Sequence, residues 1–87
     1  MDLKQRFESA VARSRELTRK PGNDELLQLY ALFKQATEGN VAGERPNGFD
    51  IKAIAKYEAW REFEGKSKDD AMFEYIALVD KLHQQYA

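Results

Sequence analysis

The sequence has no cysteine, a single histidine and no apolar run that approaches the length of a membrane span. The absence of cysteine excludes disulfides, thiolate metal sites and cysteine nucleophiles. The lone histidine, His83, has no nucleophile near it in the sequence, so it predicts neither a zinc site nor a catalytic pair. Because the first residues form no signal-like apolar segment, we expect a cytoplasmic protein that does not insert into a membrane.

The charges are nearly balanced, since 14 lysines and arginines oppose 15 aspartates and glutamates for a net charge of −1. A nucleic-acid-binding protein needs a strong basic excess, so this balance argues against such a partner. The adjacent Asp69 and Asp70 lack the oxygen-ligand spacing of a calcium loop, and no phosphate-binding glycine motif follows a strand. By subtraction, the sequence predicts no catalytic residue, no metal site and no cofactor, which disfavours an enzyme.

Apolar residues recur at steps of three and four, which predicts helices and leaves no alternating segment for a strand. A length of 87 residues allows one domain, residues 1–87, with one modest core. The predicted helices cover residues 2–17, residues 23–38, residues 51–64 and the segment from residue 67 to the carboxyl end. The short turn between the first two helices predicts that they pack side by side and antiparallel.

Each predicted helix carries its own end signals. The expected amino-terminal caps are Asp2, Asn23, Asp50 and a capping box of Ser67 with Asp70. Gly39 and Gly65 end the second and third helices. The last helix extends an apolar stripe from Met72 to Tyr86. These signals come from the sequence alone and give an all-α fold of four helices.

The second helix is the most informative stretch. Its apolar stripe consists of Leu26, Leu29, Tyr30, Phe33 and Ala36. Each residue turns a helix by about 100°, which places Leu27 and Lys34 on the edge of that stripe. Tyr30 and Lys34 are one turn apart and point the same way. A hydroxyl and an ammonium on the border of an apolar face suit a ligand with one anionic end and one apolar end.

Other cations allow two interpretations each. Lys56 falls inside the apolar arc of the third helix, where a lysine either extends its ammonium to solvent, the commoner case, or meets an anion; Lys52 stands one turn earlier. Arg15 flanks the face of the first helix, and its position favours neither a ligand contact nor a helix-end role. For Arg45, in the long loop, holding the loop to the body is favoured over binding a ligand. Tyr75 is expected in the core with its hydroxyl at the rim.

Several motifs, taken together, resemble the acyl-CoA-binding protein family. They are Lys20-Pro21, Tyr30 followed by Lys34-Gln35-Ala36-Thr37 and Gly39, Arg45-Pro46, Lys56 with Ala59-Trp60, Gly65 with Ser67, and Ala71 with Tyr75. The match runs essentially without gaps from the first helix to the last. The central run around Lys34 is the most specific part of it.

This resemblance implies an up-down-down-up antiparallel four-helix bundle that binds medium- and long-chain acyl-CoA esters. It implies an intracellular carrier and pool former without catalysis, monomeric, with transient contacts to enzymes that use acyl-CoA. The implied ligand positions are Arg15, Tyr30, Ala31, Leu32, Phe33, Lys34, Lys52, Lys56 and Tyr75, and the implied acyl-chain groove consists of Leu26, Leu27 and Tyr57. Among these, Tyr30, Lys34 and Lys56 would hold the ribose 3′-phosphate and adenine region, and Tyr75 would close that pocket.

A few positions depart from the family pattern. Asn40 replaces an aspartate, Asn47 a glycine, and Ala53-Ile54 a glycine–lysine pair. Tyr57 replaces a tryptophan beside Lys56, which is expected to change the packing of an acyl chain. Two other interpretations remain open from the residues: a helical adaptor that docks a partner peptide in the same groove, and a thioesterase, which would need a nucleophile or an activated water.

Overall fold

The computed structural model describes residues 1–17 and 19–86, without the side chain of Tyr86. Four helices make up this part of the chain: α1 (Leu3–Ser14), α2 (Asn23–Glu38), α3 (Ile51–Arg61) and α4 (Lys68–Tyr86). It contains no strand, which confirms the predicted all-α class. None of its helices is both long enough and apolar enough to span a bilayer. The last residue of the predicted α4 stripe, Tyr86, has its side chain outside the described part.

Side-chain caps begin three of the helices where they were predicted. Asp2 accepts a hydrogen bond from the backbone of Gln5 at 2.8 Å, Asp50 does so from Ala53 at 3.0 Å, and the Ser67 hydroxyl does so from Asp70 at 3.0 Å. The expected cap of α2 was wrong by one position, because Gly22 precedes the helix and Asn23 is its first residue. There the Glu25 carboxylate accepts from the Gly22 N–H at 3.1 Å, so a residue inside the helix satisfies the amide of its cap.

Two helices end earlier than the apolar pattern indicated. Helix α1 ends at Ser14, with Arg15 as its cap, and α3 ends at Arg61. Beyond each end the backbone N–H groups bond to carbonyls three residues back, for example Glu16 to Arg13 at 3.0 Å and Glu64 to Arg61 at 3.1 Å. Such bonds tighten the chain into turns that keep apolar side chains near the same face, so periodicity alone overestimates the helix length.

Contacts between side chains fix the direction of the helices. Phe7 meets Tyr75, and farther along both helices Arg13 meets Asp80 and His83, so α1 and α4 run parallel. Tyr30 meets Lys56 and Lys34 meets Trp60, so α2 and α3 also run parallel.

Contacts between α2 and α4 progress in opposite directions along the two helices. Phe33 meets Tyr75, and the Gln35 amide meets the Lys66 carbonyl just before α4 begins. Helix α2 is therefore antiparallel to α4. Together the three directions give the up-down-down-up order expected from the family resemblance.

The predicted side-by-side packing of α1 and α2 is wrong at the level of the backbone. Helix α4 lies against both α1 and α2, and α3 lies against α2. Helix α1 reaches α2 through side chains, as when the Phe7 ring stacks on Phe33 with 5.9 Å between centroids. The short connection makes α1 and α2 antiparallel, but α4, which has the larger apolar stripe, packs between them. The core consists of Phe7, Ala10, Leu29, Leu32, Ala36, Ala71, Tyr75, Ile76, Val79 and Leu82.

A buried amide joins the end of α2 to the turn before α4. Gln35 is fully buried, and its Nε2 donates to the Lys66 carbonyl at 2.8 Å and to Asn40 Oδ1 at 2.9 Å. The same Asn40 oxygen accepts from the Gly65 N–H at 2.8 Å. Asn40, one of the departures from the family pattern, therefore supplies a needed acceptor. Gln35 and Ala36, which follow Lys34 in the sequence, thus help to hold the fold together.

Two further contacts fasten α3 and the long loop. Trp60 donates its indole N–H to the carbonyl of Gly39 at 2.8 Å, so the end of α3 is tied to the end of α2. Arg45 forms an ion pair with Glu58 of α3 at 2.5 Å, which supports the interpretation that it holds the loop.

Candidate functional site

Two adjoining cavities open around Tyr30. The first, here called the Tyr75 cavity, has a volume of about 310 Å³ and lies between α1, α2 and α4. Its walls are Val11, Ser14, Arg15, Pro21, Leu26, Leu29, Tyr30, Phe33 and Tyr75. The second, the Lys56 cavity, has a volume of about 350 Å³ and lies between α2 and α3. Its walls are Asn23, Leu26, Leu27, Tyr30, Ile51, Lys52, Ala55 and Lys56. Leu26 and Tyr30 belong to both walls, so the two cavities adjoin along α2.

The parallel pair α2–α3 brings two lysines to the seam between these helices. The Lys56 ammonium lies 5.3 Å from the centroid of the Tyr30 ring, and the Lys34 ammonium lies 5.0 Å from that of Trp60. Tyr30 and Lys34 are one turn apart on α2, and Lys56 and Trp60 are one turn apart on α3. The two cation–π contacts between the helices are therefore also one turn apart. Both lysines therefore lie on the same side of the molecule. Cation–π contact orients each ammonium without neutralising it.

The cations around the two cavities differ in how they are balanced. Within the part of the chain that the structure describes, Arg15, Lys52 and Lys56 form no ion pair. Lys34 forms one with Glu38, one turn later on α2. A depression bordered by uncompensated positive charge is attractive to a phosphate or carboxylate, even in a protein whose net charge is −1.

Tyr75 forms the floor of its cavity and is only 4% exposed. Its hydroxyl donates to Ser14 Oγ at 3.3 Å, and Ser14 donates in turn to the Val11 carbonyl at 2.7 Å. Burial raises the pKa of Tyr75 above the ordinary value of 10.0, an effect opposed by the hydrogen bond with Ser14 and the positive charge of Arg15. The phenol is therefore a neutral group at physiological pH.

Most of the residues named from the sequence lie in these walls. The Tyr75 cavity contains Arg15, Tyr30, Phe33 and Tyr75, and the Lys56 cavity contains Leu26, Leu27, Lys52 and Lys56. Lys34 lines neither cavity and lies one turn beyond Tyr30 on α2. The structure thus brings most of the cations and phenols implied by the resemblance together around Tyr30.

Three residues of the expected set lie elsewhere. Ala31 and Leu32 are 0% and 4% exposed and belong to the core, so their side chains offer no surface to a ligand. One and two residues after Tyr30 on a helix, they are turned away from its face by about 100° and 200°. Tyr57 is half-buried and follows Lys56, but it is not part of either cavity wall. The inclusion of Ala31 and Leu32 in a ligand-contacting turn is therefore not supported by the geometry.

Other wall residues were missed by sequence reasoning. Val11 and Ser14 of α1 were not predicted as site residues, and the structure places both in the wall of the Tyr75 cavity. Ile51 and Ala55 line the Lys56 cavity, and Ile51 is 78% exposed. A spacing signal was available for two of them, because Val11 lies four residues before Arg15 and Ala55 lies three residues after Lys52, which places each pair on one helix face. Ser14 and Ile51 have no such spacing from these cations.

A third and larger depression, of about 560 Å³, lies between α1, α2 and α4 and contains Met72 and Ala36 in its walls. Phe33 is the one residue of the expected ligand set that lines it. It borders the Tyr75 cavity at Val11 and Phe33 but lacks its cluster of phenols. We therefore place the candidate site at the two cavities around Tyr30 and not at this larger depression.

The remaining polar residues discussed from the sequence have structural contacts. His83 lies with Nε2 at 2.8 Å from the Arg13 carbonyl, where its N–H donates to the exposed end of α1. Arg13 also forms an ion pair with Asp80 at 2.8 Å, which ties α1 to α4. Among residues 1–17 and 19–86, no three histidine, aspartate or glutamate side chains come together as a metal site would require.

Comparison with known proteins gives a consistent result. The family model described as "Acyl CoA binding protein" matches residues 4–79. The acyl-CoA-binding protein of Saccharomyces cerevisiae is 49% identical over 85 residues, covering 98% of each chain. The crystal structure of Oryza sativa acyl-CoA-binding protein 2 has a TM-score of 0.92 at 39% identity, covering 97% of this chain and 93% of that one. A match of this extent in sequence and structure shows that the chain belongs to the acyl-CoA-binding protein family.

Proposed function

We propose that this protein binds medium- and long-chain acyl-CoA esters and acts as an intracellular carrier and pool former for them. The observation that carries the proposal is the position of Lys34 and Lys56 along one seam between α2 and α3, where Lys56 lines an apolar cavity. Membership in a family whose relatives are named acyl-CoA-binding proteins supports it.

The chemistry of the ligand matches the two parts of the site. A coenzyme A headgroup carries about four negative charges, and each hydrogen bond to a charged group contributes roughly 1.5–3 kcal/mol. In this proposal Tyr30, Lys34 and Lys56 hold the ribose 3′-phosphate and the adenine region. Tyr75 closes the pocket, and Arg15 reaches another part of the coenzyme across the Tyr75 cavity.

The acyl chain occupies the Lys56 cavity. Leu26 and Leu27 provide apolar walls there, and the stems of Lys52 and Lys56 extend them. Each methylene that leaves water contributes about 0.8 kcal/mol. In this division the headgroup provides selectivity for coenzyme A esters and the tail provides most of the gain in affinity.

The carrier works without chemical change to its ligand. We place it in the cytoplasm as a monomer that passes acyl-CoA to the enzymes that use it through transient contacts. The adaptor interpretation is not favoured, because the relatives are named for acyl-CoA and not for a protein partner.

Calorimetric titration with palmitoyl-CoA tests the proposal directly. We expect saturable binding of one ligand per chain, weaker binding of the dephospho-CoA ester, and recovery of the intact thioester after long incubation. The absence of saturable heat at micromolar protein would end the proposal. Equal affinity for the two esters would favour an adaptor-like groove, and loss of the thioester would point to a hydrolase.

A further inference from the structure

Glu38 is the carboxylate in contact with a cation of the candidate site. It forms an ion pair with the Lys34 ammonium across one turn of α2, and the side chains of Lys34 and Glu38 are 24% and 54% exposed. The other cations at the site, Arg15, Lys52 and Lys56, form no ion pair within the described residues. Lys34 alone is thus presented to a ligand with a counter-charge already beside it.

Lys34 is positioned without help from Glu38. On its other side the ammonium lies against the Trp60 ring at 5.0 Å, and Trp60 is itself fixed by its hydrogen bond to the Gly39 carbonyl. A half-exposed ion pair across one helical turn is weak, so it adds little to the orientation of a side chain held in this way. What Glu38 does add is negative charge at the place where an anionic group of the ligand would approach.

We propose that Glu38 competes with the ligand phosphate for Lys34 and thereby sets the affinity of this protein below what its cations could provide. This inference rests on the proposed function. When a phosphate binds Lys34, the Glu38 carboxylate must give up its contact with the ammonium, and it then lies near a group of the same charge. Both effects favour the unbound state. Glu38 acts through Lys34 and touches no apolar part of the site.

Replacing Glu38 by glutamine removes the charge and keeps the shape. We expect Glu38→Gln to bind palmitoyl-CoA about three- to tenfold more tightly than the unaltered protein at low ionic strength, with the gain shrinking as salt screens the charges. The matched control is Glu74→Gln, which removes the same charge from the ion pair of Lys66 with Glu74, outside both cavity walls. The control is expected to bind within about twofold of the unaltered protein.

Two further measurements link the gain to Lys34 and to phosphate. In a Lys34→Ala background, Glu38→Gln should give no gain in affinity, because no ammonium remains for which the carboxylate and the phosphate could compete. With the dephospho-CoA ester the gain from Glu38→Gln should be reduced. A gain that persists without Lys34, or is equal for both esters, would overturn the proposed competition.

The outcome also separates this inference from the proposed function. If the unaltered protein shows no saturable binding of palmitoyl-CoA, the proposed function fails and the competition fails with it. If the unaltered protein binds but Glu38→Gln binds equally or more weakly, the competition alone is overturned. Weaker binding would mean that Glu38 orients Lys34 for the ligand.

Discussion

Lys56 illustrates how its neighbours decide the role of a single side chain. The α3 pattern places it inside an apolar arc, where a lysine either extends to solvent or meets an anion. In the structure the residue is exposed, its stem lines the Lys56 cavity and its ammonium lies over the Tyr30 ring. The side chain therefore does both, since it covers apolar surface while presenting an unpaired charge.

Loss of that charge should weaken the binding of acyl-CoA. We expect Lys56→Ala to raise the Kd for palmitoyl-CoA by about 10- to 150-fold, because one charge-assisted contact of roughly 1.5–3 kcal/mol is lost. Lys81→Ala removes an exposed lysine of α4 that lines neither cavity and serves as the control. Equal Kd values for Lys56→Ala and Lys81→Ala in calorimetry would remove Lys56 from the site.

Tyr75 links the site to stability at high pH. Its pKa is raised in the folded protein, so the unfolded chain loses this proton first as pH rises beyond the ordinary value of 10.0. The contribution of the neutral phenol to folding is fully present below that pH and is lost as pH rises toward the folded pKa.

The variant Tyr75→Phe should isolate this effect. At neutral pH it is expected to cost about 0.5–1.5 kcal/mol of unfolding free energy through loss of the Ser14 hydrogen bond. Above pH 10 the difference between the two proteins should narrow, because only the unaltered chain has Tyr75 to ionise. Urea unfolding near neutral pH and above pH 10 measures the unfolding free energies of both proteins. A difference in unfolding free energy that is the same at both pH values would contradict a raised pKa of Tyr75 in the folded protein.

Among the elements, the end of α2 is the most constrained. Gly39 closes the helix at φ +82° and ψ −149°, a conformation that residues with a Cβ rarely adopt. Its carbonyl accepts the indole N–H of Trp60, and Asn40 beside it receives the Gln35 amide. Gly39 is therefore needed for its backbone conformation. The hydrogen bonds made at Gly39 and Asn40 connect the end of α2 to α3 and to the turn before α4.

Two glycines at the ends of α2 allow a matched comparison. A Cβ added to Gly39 or to Gly22 would meet its nearest atom at 3.5 Å in both cases, so neither site is blocked sterically. Gly22 has a φ of −62°, which alanine adopts without strain. We expect Gly39→Ala to cost about 1–3 kcal/mol in chemical unfolding and Gly22→Ala to stay close to neutral. Similar losses in both variants would show that φ is not the cause.

For the whole molecule, the parallel pairing of α2 with α3 matters most to binding. It aligns the Tyr30–Lys56 and Lys34–Trp60 contacts along one seam and leaves an apolar cavity of about 350 Å³ beside them. A cavity of this size at a charged seam can accept only part of a long hydrocarbon chain before its walls are filled.

Affinity should therefore rise with acyl chain length and then level off. In a series of acyl-CoA esters, each added methylene should tighten binding by about fourfold while it enters the cavity. Ala55→Leu, which adds volume to one wall, should bring the plateau to a shorter chain and leave the binding of free coenzyme A unchanged. A uniform change across the whole series would mean that the chain does not occupy the Lys56 cavity.

The sequence by itself determined the helices, because apolar spacing and capping side chains act within a few residues of each other. It identified the stripes, the Asp2, Asp50 and Ser67 caps, and the border position of Lys34. The helix ends at residues 17 and 64 were overestimated, since a tight turn preserves the same apolar face as a helix. Naming the ligand set required the family resemblance, because the cations lie far apart along the chain.

Tertiary structure decided which faces meet. It set α4 between α1 and α2, turned Ala31 and Leu32 into the core, and placed Val11 and Ser14 at the Tyr75 cavity. It also placed the Lys34 ammonium over the Trp60 ring. These outcomes depend on competition among apolar stripes for one core and on contacts between residues distant in sequence, which no local pattern encodes.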